Sequence, residues 1–87
     1  MPQRPPIKIY STATCGYCAA ARQLLKKKGL NFEDVRVDLQ PEFRAKMAAQ
    51  SGSRTVPQIF IDGTAIGGYD DMAQLEASGE LDTMLGR

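Results

Sequence analysis

Thr14-Cys15-Gly16-Tyr17-Cys18 decides the reading of this chain. It holds both cysteines, directly after an apolar strand-like run, Ile7-Lys8-Ile9-Tyr10, and directly before an amphipathic helical stretch. A thiol where a strand ends and a helix begins meets unpaired backbone N–H groups and the positive end of the helix dipole. Both favour the thiolate, which is the reactive form. Two thiols at i and i+3 of a helix start can also join with little backbone movement, so the oxidised and reduced forms are both within reach. The pattern points to dithiol redox chemistry, with Cys15 as nucleophile and Cys18, one turn into the helix, as the resolving thiol.

Working outward, Ser11 to Thr14 read as a loop that ends in Thr14 as the helix N-cap. From Gly16 to Lys28, Cys18, Ala21, Leu24 and Leu25 share one helical face, and Arg22, Gln23, Lys26 and Lys27 lie largely on the other. Lys26-Lys27-Lys28 complements the carboxyl end of the dipole, and Gly29 suits the position just past it. Phe32 to Leu39 alternates Val35, Val37 and Leu39 with Asp34, Arg36 and Asp38, the period of a strand. Strand, helix and strand in succession argue for a right-handed parallel βαβ unit. Pro41 opens a second helix that runs to about Gln50. Gln58-Ile59-Phe60-Ile61, Asp62-Gly63 and Thr64-Ala65-Ile66 form a hairpin signal. After Gly67-Gly68, Asp70 or a neighbour caps a last helix through Met72, Leu75 and Glu76. Gly79 interrupts that helix, and Leu81, Met84 and Leu85 add one more apolar turn. The order is βαβαββα.

Hydrophobic residues make up 43% of the 87 and charged residues 24%, which is globular composition and sets disorder aside. A formal net charge of +1 gives no broad field to attract nucleic acid or a membrane surface. No apolar run approaches a membrane span. Residues 1–6, Met1-Pro2-Gln3-Arg4-Pro5-Pro6, read as a short proline-stiffened lead-in with no apolar signal core. The expectation is one domain over 1–87 in a reducing cytoplasm, where Cys-x-x-Cys is redox-active or metal-binding. Zinc fits poorly, because it wants four ligands and the chain has two cysteines and no histidine.

Two further stretches carry chemistry. Val56-Pro57 stands at the start of an apolar strand, where a proline cannot donate to the ladder. Locally a trans bond is the commoner case. A cis bond would turn the preceding N–H and C=O outward, toward an extended peptide. In Gly67-Gly68-Tyr69-Asp70-Asp71 the glycines allow close backbone approach, the helix start offers N–H groups to an anion, and an aspartate can meet an ammonium. A glycine turn with an acidic cap explains the same residues, but a zwitterionic amino-acid head group matches them well.

Taken together, Thr14-Cys15-Gly16-Tyr17-Cys18, Thr55-Val56-Pro57-Gln58-Ile59-Phe60-Ile61 and Gly67-Gly68-Tyr69-Asp70-Asp71 resemble the motifs of the glutaredoxins, in order and spacing, over Ile7 to Leu85. The likeness is greatest to the small bacterial dithiol members. It implies an α/β thioredoxin fold: a four-stranded mixed sheet ordered 2-1-3-4, with three main helices and a cis Pro57. It also implies glutathione as reductant and co-substrate, and disulfide-containing or glutathionylated proteins as partners. By the same resemblance, Tyr17, Thr55, Val56, Pro57, Gly68, Tyr69 and Asp70 bind glutathione. Val56 would do so through its backbone, and Tyr69 and Asp70 at the γ-glutamyl head. Arg54 and Lys8 are both candidates for the glycyl carboxylate.

Two departures stand out. Gly16 occupies a position where family members usually have proline, and Thr12 one where many carry lysine. Loss of that proline accompanies, in some members, a [2Fe–2S] cluster shared by two subunits and two glutathiones. The alternative reading is therefore a cluster carrier or sensor, with Cys15 as the ligand in a bridged dimer and no metal in the monomer. A thioredoxin-like general reductase fits less well, since the chain has no tryptophan.

Overall fold

The computed structural model describes residues Pro5 to Gly86. The lead-in residues 1–4 lie outside that range. Eight elements follow in order: β1 (Ile7–Ser11), α1 (Gly16–Lys27), β2 (Glu33–Arg36), α2 (Pro41–Ser51), β3 (Gln58–Ile61), β4 (Thr64–Gly67), α3 (Tyr69–Ser78) and α4 (Glu80–Met84). The strands form one sheet in the order β2-β1-β3-β4. β1 pairs parallel with β2 and antiparallel with β3, and β3 pairs antiparallel with β4 through an irregularity at Ile59/Phe60. This is the 2-1-3-4 mixed sheet that the resemblance implies.

The sheet is covered on both faces, which explains why its central strands read as nearly unbroken apolar runs. Ile7, Ile9, Ile59 and Ile61 face α1, α3 and α4, where Ala21, Leu25, Met72, Leu81 and Leu85 meet them. Tyr10 and Phe60 turn the other way and pack with Val35, Val37 and Met47 of the α2 side, their rings edge to face with centroids 5.5 Å apart. At the base of α1, Gly29 takes φ +71° and lets Leu30 N–H reach back to the Leu25 carbonyl at 3.0 Å. That closes the helix in the manner expected of a glycine past its end. Lys28 does more than complement the dipole: its ammonium lies 2.7 Å from both Glu76 and Asp82, joining α1 to α3 and α4. At the hairpin, Asp62 and Gly63 adopt φ of +52° and +79°, the two positive values a type I′ turn requires.

Several expectations are corrected. Ser11 belongs to β1 and pairs with Arg36 instead of opening the loop. The N-cap of α1 is Cys15, not Thr14. β2 stops at Arg36, short of Leu39. Its last link is Val37 N–H to the Ser11 carbonyl at 2.9 Å, after which the chain turns. The turn is stabilised by Asp38, whose carboxylate grips the Arg36 guanidinium at 2.8 and 2.6 Å and leaves Leu39 in solvent. Gly68 takes the N-cap position of α3, and the aspartate that closes its first turn is the neighbour Asp71 and not Asp70. The apolar turn after Gly79 is a separate short helix, α4.

Candidate active site

Both α1 and α3 begin at the same end of the sheet, beside the start of β3. Cys15 stands at that junction. As N-cap of α1 it has extended backbone (φ −99°, ψ 115°), and its sulfur accepts the Cys18 N–H at 3.2 Å. Capping is a role for small polar side chains, and here the sulfur fills it. The same thiol donates to the Val56 carbonyl at 3.7 Å across the gap to the next loop. Cys15 is partly exposed and Cys18 fully buried, and both are free thiols.

The two sulfurs sit in different surroundings. Burial, with the hydrogen bond to Cys15 adding to it, pushes the Cys18 thiol up to about 11. The Thr12 backbone and the Arg22 charge act in the opposite direction with less effect. Cys18 is therefore protonated at neutral pH.

The Val56-Pro57 bond is cis, as the resemblance implies and against the local expectation. Val56 lies in an irregular stretch before β3, and its N–H has no acceptor among the described residues. A groove of about 460 Å³ leads past Thr55, Val56 and Pro57 to Gly68, Tyr69 and Asp70, with Tyr17 on its rim, and Cys15 adjoins it through the Val56 carbonyl. Tyr17 is 64% exposed, and its ring tilts toward that of Tyr69 with centroids 6.3 Å apart. Tyr17, Thr55, Val56, Pro57, Gly68, Tyr69 and Asp70 thus line one groove. Neither Lys8 nor Arg54 lines the groove: Lys8 lies 4.0 Å from Glu33 on β2, and Arg54 gives its carbonyl to the Arg44 guanidinium at 3.5 Å.

Five lining residues stand outside the expected glutathione contacts: Ser51, Ser53, Gln58, Gly67 and Asp71. Asp71 accepts the Gly68 N–H at 3.0 Å, closing the first turn of α3. Gly67 has φ +110°, and a Cβ there would run into the Asp71 carboxylate, so the glycine is obligatory. Gln58 is buried and donates to the Thr55 hydroxyl at 3.1 Å, which in turn lies 2.7 Å from the Ser53 hydroxyl. The signal for Gln58 was present: a lone polar residue inside the apolar run from Val56 to Ile61. No helix among the described residues is long and apolar enough to cross a membrane.

A 2-1-3-4 sheet with a dithiol at the start of its first helix, facing a cis proline, defines a thiol–disulfide oxidoreductase of the thioredoxin fold. The comparisons narrow the class. The glutaredoxin family model matches residues 7–66. Glutaredoxin of Pseudomonas aeruginosa is 51% identical over 81 residues, covering 93% of this chain and 96% of that protein. Glutaredoxin 3 of Escherichia coli K12 is 46% identical over 79 residues, covering 91% and 95%. Among solved structures, the buckwheat glutaredoxin–glutathione complex superposes with a TM-score of 0.87 at 30% identity, covering 94% of this chain and 77% of that one. This chain belongs to the glutaredoxin family.

Proposed function

We propose that this protein is a glutathione-dependent oxidoreductase that reduces protein disulfides and glutathione mixed disulfides. The Cys15 thiolate attacks the glutathione sulfur of a mixed disulfide, and the protein thiol leaves and takes up a proton. The Cys15–glutathione disulfide is then opened by a second glutathione, which yields oxidised glutathione and restores the Cys15 thiol. In the dithiol route, Cys18 opens it instead and leaves an intramolecular disulfide that two glutathiones reduce. No net oxidation occurs in any exchange step; one S–S bond forms as another breaks.

One observation carries the reading: the Cys15 thiol meets the carbonyl of Val56, a groove-lining residue whose N–H has no acceptor among the described residues. A tripeptide running strand-like along Val56 would place its central sulfur at Cys15 and its γ-glutamyl head at Gly68, Tyr69 and Asp70. Thr55, Pro57 and Tyr17 would flank its length. The two helix N-termini favour its carboxylates, and Asp70 favours its ammonium. The buckwheat structure holds glutathione in the same fold, which supports the assignment. The reading takes residues 1–87 as one domain acting as a cytoplasmic monomer. Its test is release of glutathione from a glutathionylated peptide, coupled to glutathione reductase. Turnover by a cysteine-independent route would sink it.

The cluster alternative draws on Gly16, where a Cβ would meet nothing within 4 Å. Among the described residues no three metal-ligating side chains come together. With Cys18 fully buried, one chain would offer a [2Fe–2S] group Cys15, and four thiolates would need two chains and two glutathiones. The residues of a single chain do not fit the group. Anaerobic purification with glutathione, read by visible spectrum and oligomer size, separates the two readings.

A further inference from the structure

Ser53 and Gln58 line the groove beside Thr55 and Val56 and take no part in the exchange steps. Residues 53–57 make no backbone-to-backbone hydrogen bond among the described residues, so side chains hold this loop. The Ser51 hydroxyl accepts the Ser53 N–H at 3.2 Å, and the Ser53 hydroxyl accepts the Thr55 N–H at 3.2 Å. The Ser53 and Thr55 hydroxyls lie 2.7 Å apart, and Gln58 Nε2 donates to the Thr55 hydroxyl at 3.1 Å. Gln58 is buried at the head of the apolar β3, where an amide costs stability unless it is hydrogen-bonded. A hydroxyl has one hydrogen and two acceptor lone pairs. Each of the two oxygens already accepts from an N–H: Thr55 from Gln58, and Ser53 from the Thr55 backbone. One of the two hydroxyl hydrogens is used between the oxygens. The other has no acceptor among the described residues, and because both residues line the groove it is offered there.

We propose that Gln58 is a positioning residue that sets the polarity of the Ser53–Thr55 hydroxyl pair, so that the groove wall offers an O–H donor to a carbonyl or carboxylate oxygen of the bound thiol. Gln58→Glu inverts this arrangement. An ionised carboxylate only accepts, so the Thr55 hydrogen turns to it, the Ser53 hydrogen turns to Thr55, and none is left for the ligand. Gln58→Met acts differently. It removes the amide donor at nearly constant side-chain length, but one hydroxyl hydrogen stays free, no longer held in one direction.

The identity of the bound thiol rests on the function proposed above, and the test keeps the two apart. One peptide is prepared as its mixed disulfide with glutathione, with N-acetyl-cysteinylglycine, which has acceptor oxygens but no γ-glutamyl head, and with ethanethiol, which has no acceptor. The rate at which the reduced full-length protein consumes each disulfide at mildly alkaline pH, over a range of concentrations, gives a half-saturating concentration and a limiting rate. Gln58→Glu should raise the half-saturating concentration about tenfold for the two acceptor-bearing disulfides, with limiting rates within twofold. Both constants for the ethyl disulfide should change less than twofold. Gln58→Met should raise the half-saturating concentration about threefold, again only for the acceptor-bearing pair. Equal loss on all three substrates, or unaltered kinetics in Gln58→Glu, overturns the proposal. If Gln58→Glu fails to fold, Gln58→Met decides alone: a shift confined to the acceptor-bearing disulfides supports the proposal, and a uniform shift or none overturns it. If the unaltered protein handles the glutathionyl and N-acetyl-cysteinylglycine peptides alike, glutathione recognition fails, and the contrast of both with the ethyl disulfide still judges Gln58.

Discussion

The Cys15 sulfur lies 3.7 Å from the Val56 carbonyl oxygen, although 41 positions separate the two residues in the chain. The contact joins the N-terminus of α1 to the loop that enters β3, the two elements between which a disulfide must slide to be attacked. With Cys18 N–H on the other side at 3.2 Å, the sulfur is held by one donor and one acceptor. Cys15→Ser should lower kcat/KM for a glutathionylated peptide by at least about a thousandfold, since it removes the attacking atom. Cys18→Ser should keep deglutathionylation within a few-fold while losing reduction of protein disulfides. Equal loss in both variants would place the nucleophile elsewhere.

Cys18 makes the protein sensitive to alkali. Its thiol titrates at about 11 in the fold against 9.0 in the open chain, so the folded state favours the protonated form. The stabilisation is complete below pH 9 and is lost as pH rises through 9 to 11. Lys28, raised above its ordinary 10.5 by Asp82 and Glu76, also contributes stability that disappears in alkali, at still higher pH. Urea midpoints of the reduced protein should fall from pH 9 to 11, and less steeply for Cys18→Ala. A flat profile in the unaltered protein would contradict the sign.

Asp70 is exposed at the far end of the groove and makes no ion pair among the described residues. If it receives the γ-glutamyl ammonium, Asp70→Asn should raise KM for glutathione about three- to tenfold with kcat little changed. Steady-state kinetics with varied glutathione separates the two constants. A fall in kcat at constant KM would argue for a different role.

Gly67→Ala tests the same end from the backbone. The substitution forces a side chain into φ +110° and onto the carboxylate that caps Gly68. A loss of about 1–3 kcal/mol in unfolding free energy is expected. Glutathione affinity should weaken with it, because Gly68 and Asp70 shift together. Thermal melting and calorimetric titration measure the two effects.

Much of this was legible in the sequence, for physical reasons that can be named. The period-two and helical patterns gave the element order, because β1, β3 and α1 each bury whole faces. The dithiol, Val56-Pro57 and the Gly68–Asp70 turn were legible as motifs, because each demands unusual residue types. Leu39 misled, since alternation continues past the point where Asp38 folds onto Arg36 and ends the strand. The Cys15 cap was missed because Thr14 is the better capper by composition. Gln58, Asp71 and Arg22 act through partners 3 to 12 positions away along the chain. Gln58 stands out locally as a lone polar residue in an apolar run, whereas the contacts of Asp71 and Arg22 are written in the packing.

Lys28 sits far from the thiols, yet it sets a length that matters there. It clamps the end of α1 to α3 and α4, while Tyr17 and Tyr69 meet where the same two helices begin. The cysteine and the acidic end of the groove are thus carried on two struts braced at both ends, like the jaws of a caliper. Their separation is fixed by helix packing, independently of the loops between. In the binding mode proposed above, such a frame gauges its ligand by length: a thiol that lacks the γ-glutamyl residue would reach the sulfur but not the far anchor.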